Sequence, residues 1–140
     1  MLVEIKPKMI KEIEEMLDMG MVCFYHKTNN EMDFYPDELR NPGYDKELWT
    51  DVIKKVDDNY SEYIRFEGMR SYESFKVMES FIDEIEHIPT HNNFIRAISQ
   101  KKPFSHFNQM LLNYPKLREQ WFKFKLDAYM EYVKEQAWVS

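Results

Sequence analysis

The feature that most constrains this chain is the stretch from Lys101 to Lys125, in which two prolines divide a run of interleaved aromatic and cationic residues. Apolar side chains in its first part recur at the spacing of one helix face: Phe104, Phe107, Leu111 and Tyr114. Pro103 suits the first position of that helix. Proline has no backbone N–H, and an N–H at this position would have no acceptor within the helix. Pro115 ends the helix, since proline cannot donate to the preceding turn and disfavours helical backbone in the residue before it. The stretch therefore predicts one helix that stops before Pro115 and a second that begins at once.

The composition is typical of a folded protein. The 140 residues are 44% hydrophobic and 31% charged, which provides enough apolar surface for one core. We therefore expect a single domain, residues 1–140. Cys23 is the only cysteine, so no internal disulfide is possible and a reducing compartment is the better expectation.

The sequence also predicts where the protein resides. Charged residues are spread through the first twenty positions and leave no apolar core for a signal peptide. Nothing further along approaches the roughly 20 apolar residues that a membrane-spanning helix needs. We expect a cytoplasmic protein that does not contact a membrane.

The order of patterns predicts the fold class. Residues 8–19, 45–56, 72–86 and 93–100 have helical periodicity, and residues 21–26, 31–35 and 60–66 have the composition of strands. With the two helices of the stretch 101–125 and its continuation, the order is αββαβαααα. We predict an α+β fold, in which a small antiparallel sheet of about three strands is covered by a mainly helical C-terminal half.

Charge is distributed unevenly along the chain. Residues 92–126 contain seven lysines and arginines and one acid, although the whole chain has a formal charge of −6. Such asymmetry indicates either an anionic partner for the basic part or attraction between two halves of one domain. The second explanation is the simpler one, and we favour it.

Three constellations resemble functional sites, and each has a simpler explanation. His87 and His91 have the spacing of two metal ligands on a helix, but Pro89 lies between them and predicts loop histidines instead. Cys23 and His26 lie three apart in a predicted strand, where they point to opposite faces, so a packed cysteine is expected. A calcium loop beginning at Asp57 is rejected, because its sixth position is not glycine.

A group of tyrosines allows two interpretations. These residues belong to the predicted sheet: Tyr25, Tyr35, Tyr60 and Tyr63. On an exposed sheet face they would form a stacking platform for RNA bases. Packing beneath helices is the commoner fate of such residues, and we expect it here.

Several short motifs together resemble a known bacterial family. They are Arg65-Phe66, Ser71-Tyr72-Glu73-Ser74-Phe75, Met78-Glu79-Ser80-Phe81-Ile82, Lys102-Pro103-Phe104, Phe107 and Trp121-Phe122-x-Phe124. The chain resembles uncharacterised protein family zero-one-five-eight over most of its length. The resemblance implies no activity and no catalytic residues. Ser105-His106 stands where family members often carry two basic residues, which argues against phosphate binding at that position.

Four cations are the predicted binding residues: Lys102, Arg118, Lys125 and Arg65. On the last helix, Arg118 and Lys125 fall between two apolar sectors. A cation in such a position must extend to solvent, pair with an acid or hold an anionic ligand. We expect a carboxylate partner for Arg118 and for Lys125. We also expect Trp121, on the same helix, to be structural.

These observations predict function only broadly. No catalytic or metal-binding set is present, and aromatics and ten methionines are abundant, as at adaptable binding surfaces. We predict a non-enzymatic domain without a cofactor that binds a protein partner; the sequence does not give its oligomeric state. The alternative is a nucleic-acid-binding module that uses residues 92–126. An enzyme acting on an anionic small molecule has no residue set to support it.

Overall fold

The computed structural model describes residues 4–137. Between these residues it contains six α-helices and one three-stranded antiparallel sheet, in the predicted order αββαβαααα. The elements are α1 (Pro7–Asp18), β1 (Met21–His26), β2 (Met32–Pro36), α2 (Thr50–Asp58), β3 (Tyr63–Phe66), α3 (Ser71–Asp83), α4 (Ile88–Ile98), α5 (Pro103–Leu111) and α6 (Pro115–Gln136). Short 3₁₀ helices, Lys46–Trp49 and Tyr60–Glu62, precede α2 and β3. The predicted α+β class is confirmed.

The chain forms two compact units. The sheet unit runs from the N-terminal part of the chain to Gly68 and resumes at Tyr129, so it contains α1, α2, the three strands and the last part of α6. The helical unit, Met69–Ala128, contains α3 to α5 and the first part of α6. That the whole chain is one domain stays a prediction.

The sheet has the strand order β2-β1-β3. In its register Phe24 lies opposite Asp33 on β2 and Arg65 on β3, and Cys23 lies opposite Phe34 and Phe66. Directly opposed residues point to the same face, so Asp33, Phe24 and Arg65 share one face of the sheet and Cys23 lies on the other.

Both faces of the central strand are covered. Val56 of α2 packs with Val22, Phe24 and Tyr63 on one face. Cys23 and Tyr25, which point to the other face, are also buried. Because both faces are apolar, β1 has nearly continuous apolar sequence instead of an alternating pattern.

Gly20 allows the chain to turn from α1 into β1. Its φ is +85°, which a residue with a side chain rarely adopts. An added Cβ would also lie 2.9 Å from Nδ2 of Asn41, which donates to the Gly20 carbonyl. Gly20 thus lies just beyond the end of the first helix, where a positive φ is common.

Some predicted element boundaries are wrong. The third strand begins at Tyr63, not Tyr60, because residues 60–62 form a 3₁₀ turn. The helix predicted from residue 72 begins one residue earlier, at Ser71, and the Glu73 carboxylate in its first turn accepts from the backbone N–H of Arg70. The same helix ends at Asp83, three residues earlier than predicted.

The helical unit is built around aromatic rings. Trp121 is 8% exposed, and its ring centroid lies 4.9 Å from that of Phe107 and 5.3 Å from that of Phe81. Phe107 also meets Phe94 of α4 edge-on. Such edge-to-face pairs add to the stabilisation from area burial, and Trp121 is structural, as predicted.

The helices of the structure are too polar or too short for the bilayer. No helix between residues 4 and 137 combines the length and the apolar character needed to cross a membrane.

Candidate functional site

Two adjacent residues of α6 have opposite environments. Trp121 lies in the core of the helical unit, whereas Phe122 is 51% exposed. Consecutive helical residues differ by about 100° around the axis, so the burial of one turns the next toward solvent. A large ring left in solvent beside cations is the starting point of the candidate site.

Arg118 lies over the ring of Phe122. The guanidinium carbon is 4.8 Å from the ring centroid, which is the distance of a cation–π contact. The two residues are four apart on α6 and therefore neighbours on its surface. The ring thus holds the guanidinium in place, although both side chains are exposed.

The guanidinium donors of Arg118 are free to act elsewhere. None of its side-chain N–H groups donates to an acceptor within residues 4–137, and no carboxylate there forms an ion pair with it. Stacking uses the flat face of a guanidinium and leaves the N–H groups along its edge available. The carboxylate partner predicted for Arg118 is therefore not found among the described residues; the cation extends across an exposed ring instead.

A second group of aromatic and cationic residues lies at the beginnings of α3 and α5. Phe104 meets Phe75 edge-on, with ring centroids 6.4 Å apart. Lys76 lies 6.0 Å from the ring centroid of Tyr72. Lys102 precedes Pro103 and has left-handed backbone, φ +55°, although a residue before proline usually adopts extended backbone.

Some cations of the sheet unit form ion pairs, whereas the exposed cations of the helical unit form none with a described residue. In the sheet unit Lys46 pairs with Glu38 at 2.8 Å, Lys55 with Asp33 at 3.2 Å and Arg65 with Glu67 at 2.8 Å. In the helical unit eight exposed cations form no ion pair with any described residue: Arg70, Lys76, Arg96, Lys101, Lys102, Lys116, Arg118 and Lys123. The exposed cations of the predicted basic segment therefore present charge that no described carboxylate neutralises by direct contact.

The structure does not gather the four predicted binding residues into one site. Lys102 and Arg118 are exposed in the helical unit, and no hydrogen bond or ring contact among the described residues joins them. Lys125 is half-buried on α6 and is not without an interaction partner. Arg65 lies on β3 in the sheet unit and is engaged by Glu67.

Sequence reasoning missed the exposed apolar residues of the helical unit. Leu112, directly after α5, is 67% exposed, and Ile88 and Tyr72 are similarly open. Leu112 follows the last residue of α5. It is therefore not part of the periodic apolar face from which the core was predicted. The contact of Arg118 with Phe122 did have a sequence signal, which is a cation four residues before an aromatic on one helix.

Cys23 is packed, as predicted, and is not positioned as a nucleophile. It is fully buried, and this burial raises the pKa of the thiol to about 12. His26 lies on the other face of the sheet. Its Nδ1 accepts from the backbone N–H groups of Thr28 and Asn29, and its Nε2 is 3.7 Å from the Glu62 carboxylate.

The description as a loop histidine is wrong for His91, which lies in α4, whereas His87 lies just before that helix. Pro89 occupies the first turn of α4, where proline is tolerated, so it starts a helix instead of interrupting one. His87 caps this helix, and Nδ1 of His91 donates to the carbonyl of Ile82 at 2.9 Å. Within residues 4–137 no three His, Cys, Asp or Glu side chains are grouped so that they could hold a metal ion.

The tyrosines of the sheet unit do not form a common exposed platform. Tyr25 and Tyr63 are buried and donate to Asn30 and Asp33, respectively. Burial, together with the bond to Asp33, raises the pKa of Tyr63. Tyr35 stacks on Phe24, with centroids 5.1 Å apart. Only Tyr60 of the four is largely exposed.

Comparison with known proteins agrees with the resemblance seen in the sequence motifs. The model of Uncharacterised protein family (UPF0158) matches residues 15–138. The chain belongs to this family. Its relatives include UPF0158 proteins of Chlamydia muridarum, 26% identical, and Chlamydia trachomatis, 24% identical; each match covers 74% of this chain and 33% of the relative.

A UPF0158 protein of Pseudomonas aeruginosa is 27% identical over 44% of this chain and 40% of its own length. The chain thus spans about a third of the length of the chlamydial relatives that it matches. No solved structure matches the chain.

Proposed function

We propose that this UPF0158 chain is a non-enzymatic, cytoplasmic domain that binds a protein partner through its helical unit. The observation that supports the proposal best is the exposed pair of Arg118 and Phe122 on α6. Arginine and aromatic residues are enriched in protein interfaces and among the residues that contribute most binding energy. A partner that covers the pair would bury apolar area and also meet a positioned cation.

Other features of the helical unit support the proposal. Leu112 is exposed without an apolar cover among the described residues, and the exposed cations of the helical unit lack carboxylate partners there. A folded monomer normally leaves single apolar residues exposed, so the argument depends on apolar and unpaired cationic residues occurring together.

The test is affinity capture of the tagged full chain from nuclease-treated lysate of the bacterium that encodes it. The variant Leu112→Ser with Phe122→Ser removes both exposed apolar side chains. Leu39→Ser is the matched control, because Leu39 is 83% exposed but lies in the sheet unit. We expect a protein that is recovered with the unchanged chain and the control but lost with the double variant.

Two results would contradict the proposal. Recovery of nucleic acid alone, abolished by nuclease, would favour the alternative function of residues 92–126. Recovery of the same proteins by the double variant would show that the helical surface does not bind them.

A further inference from the structure

We infer that the partner is recognised at Arg118 and Phe122 through an acidic protein segment, in which a carboxylate lies next to an apolar side chain. This inference deepens the proposed function and depends on it. It specifies the chemistry of the partner at one place on α6.

The carboxylate is indicated by the state of Arg118. Its guanidinium is positioned on the ring at 4.8 Å from the centroid, and no N–H of it is used within residues 4–137. A carboxylate binds the edge of a guanidinium with two parallel hydrogen bonds. Because the ring already orients the cation, less conformational freedom is lost when such a bond forms.

The apolar component is indicated by Phe122. Its ring is half-exposed even with Arg118 over it, so a partner side chain can still remove apolar area from water there. A carboxylate alone would leave this area in solvent. An acidic residue next to a leucine or an aromatic residue satisfies both groups at once.

Charge complementarity favours an acidic segment over other ligands. The site lies in residues 92–126, whose cations exceed acids by six, and Lys116 and Lys123 are exposed on the same helix. A phosphate backbone is the competing polyanion. It is disfavoured because the whole chain has a net charge of −6, which repels a long polyanion beyond the immediate contact.

The experiment uses the immobilised full chain to select from a library of short random peptides displayed on phage. We expect enrichment of Asp or Glu beside Leu, Phe or Tyr relative to the unselected library. The most enriched peptide is then labelled with fluorescein and titrated with each protein variant by fluorescence anisotropy. Circular dichroism verifies that each variant is folded.

Two variants test the pair of Arg118 and Phe122, and a third variant is the control. Arg118→Gln and Phe122→Ser should each weaken peptide binding by about tenfold or more, as expected for residues at the centre of an interface. Lys123→Gln removes one exposed cation from another side of α6 and should weaken binding by less than about threefold. Equal losses for Arg118→Gln and Lys123→Gln would overturn the inference, since they would indicate only diffuse attraction.

The remaining outcomes separate the inference from the proposed function. Enriched peptides without acidic residues, or an absence of enriched peptides, would overturn the inference of an acidic segment. Lysate capture would then decide separately whether the chain binds a protein. A labelled single-stranded oligonucleotide is titrated in parallel. If it binds more tightly than the peptide and loses that affinity in Arg118→Gln, the site recognises nucleic acid instead of protein.

Discussion

At the scale of single residues, neighbouring positions on α6 make opposite contributions. Trp121 contacts Phe81 and Phe107 in the core of the helical unit. We expect Trp121→Ala to lower the free energy of unfolding by about 3 to 5 kcal/mol, because it removes apolar contacts and leaves a cavity. Denaturant unfolding followed by circular dichroism measures the change.

Phe122→Ala is the matched control for Trp121→Ala. Its ring is half-exposed, so its removal should change the free energy of unfolding by less than about 1 kcal/mol. Similar losses for both variants would mean that Phe122 contributes to the fold, and the proposed binding role would lose its structural basis.

Cys23 allows a prediction about reactivity. Because the thiolate is the reacting form and burial raises the pKa of the thiol to about 12, the folded protein should react with a disulfide reagent very slowly at neutral pH. Unfolding in guanidinium should expose the thiol and make this reaction fast. Cys23 is the only cysteine, so the signal comes from it alone. Rapid reaction of the folded chain would contradict the buried position.

The same thiol gives a direction for the pH dependence of stability. Its pKa is higher in the folded chain than its usual value of 9.0, so the unfolded chain loses this proton first as pH rises. The contribution of the protonated Cys23 thiol to the free energy of unfolding is therefore complete below about pH 9 and declines as the pH approaches 12. Cys23→Ala should remove this part of the alkaline destabilisation in denaturant unfolding curves.

At the scale of elements, Asn30 stabilises the turn between β1 and β2 with both its backbone and its side chain. Asn30 has φ +60°, and its side-chain oxygen accepts from the hydroxyl of buried Tyr25 at 2.8 Å. Asn30→Ala should lower the free energy of unfolding by about 1 to 3 kcal/mol, because alanine disfavours this backbone and the hydroxyl loses its acceptor.

Asn30→Gly separates the two causes. Glycine adopts the positive φ readily, so this variant should lose only the hydrogen bond and be destabilised less than Asn30→Ala. Thermal unfolding of the two variants makes the comparison. If they are equally stable, the backbone conformation at Asn30 does not contribute.

The prolines show which elements sequence alone could predict. Pro103 and Pro115 begin α5 and α6 as expected, because the apolar period restarts after each. Pro89 was misassigned: proline ends one helix and begins the next equally well, and the sequence did not distinguish these roles. Tyr60 is a second example. It favours strands by propensity but lies in a 3₁₀ turn, because tertiary context overrides propensity there.

The candidate site was predictable only in part. Residues 101–125 were recognised as basic and aromatic, and Trp121 was assigned correctly to the core. Helical periodicity predicts apolar sectors on the last helix, but it does not reveal whether a neighbouring element covers each of them. The exposure of Phe122, and with it the contact to Arg118, therefore required the structure.

At the scale of the whole molecule, charge decides between two kinds of partner. The helical unit contains nine lysines and arginines and seven acids, whereas the chain as a whole is −6. A nucleic-acid-binding protein gains affinity by neutralising many phosphates, and that affinity falls steeply with added salt. The acidic remainder of this chain opposes such binding at long range.

We therefore expect only weak binding of labelled single- and double-stranded oligonucleotides, with dissociation constants above about 1 μM at physiological salt. Fluorescence titrations at several salt concentrations test this expectation. The variant Lys101→Gln with Lys102→Gln is informative, because both lysines are exposed beside Phe104. If the unchanged chain binds below about 1 μM with a steep salt dependence, and this variant reduces that dependence, phosphate contacts would outweigh the acidic remainder and nucleic acid would become the better supported partner.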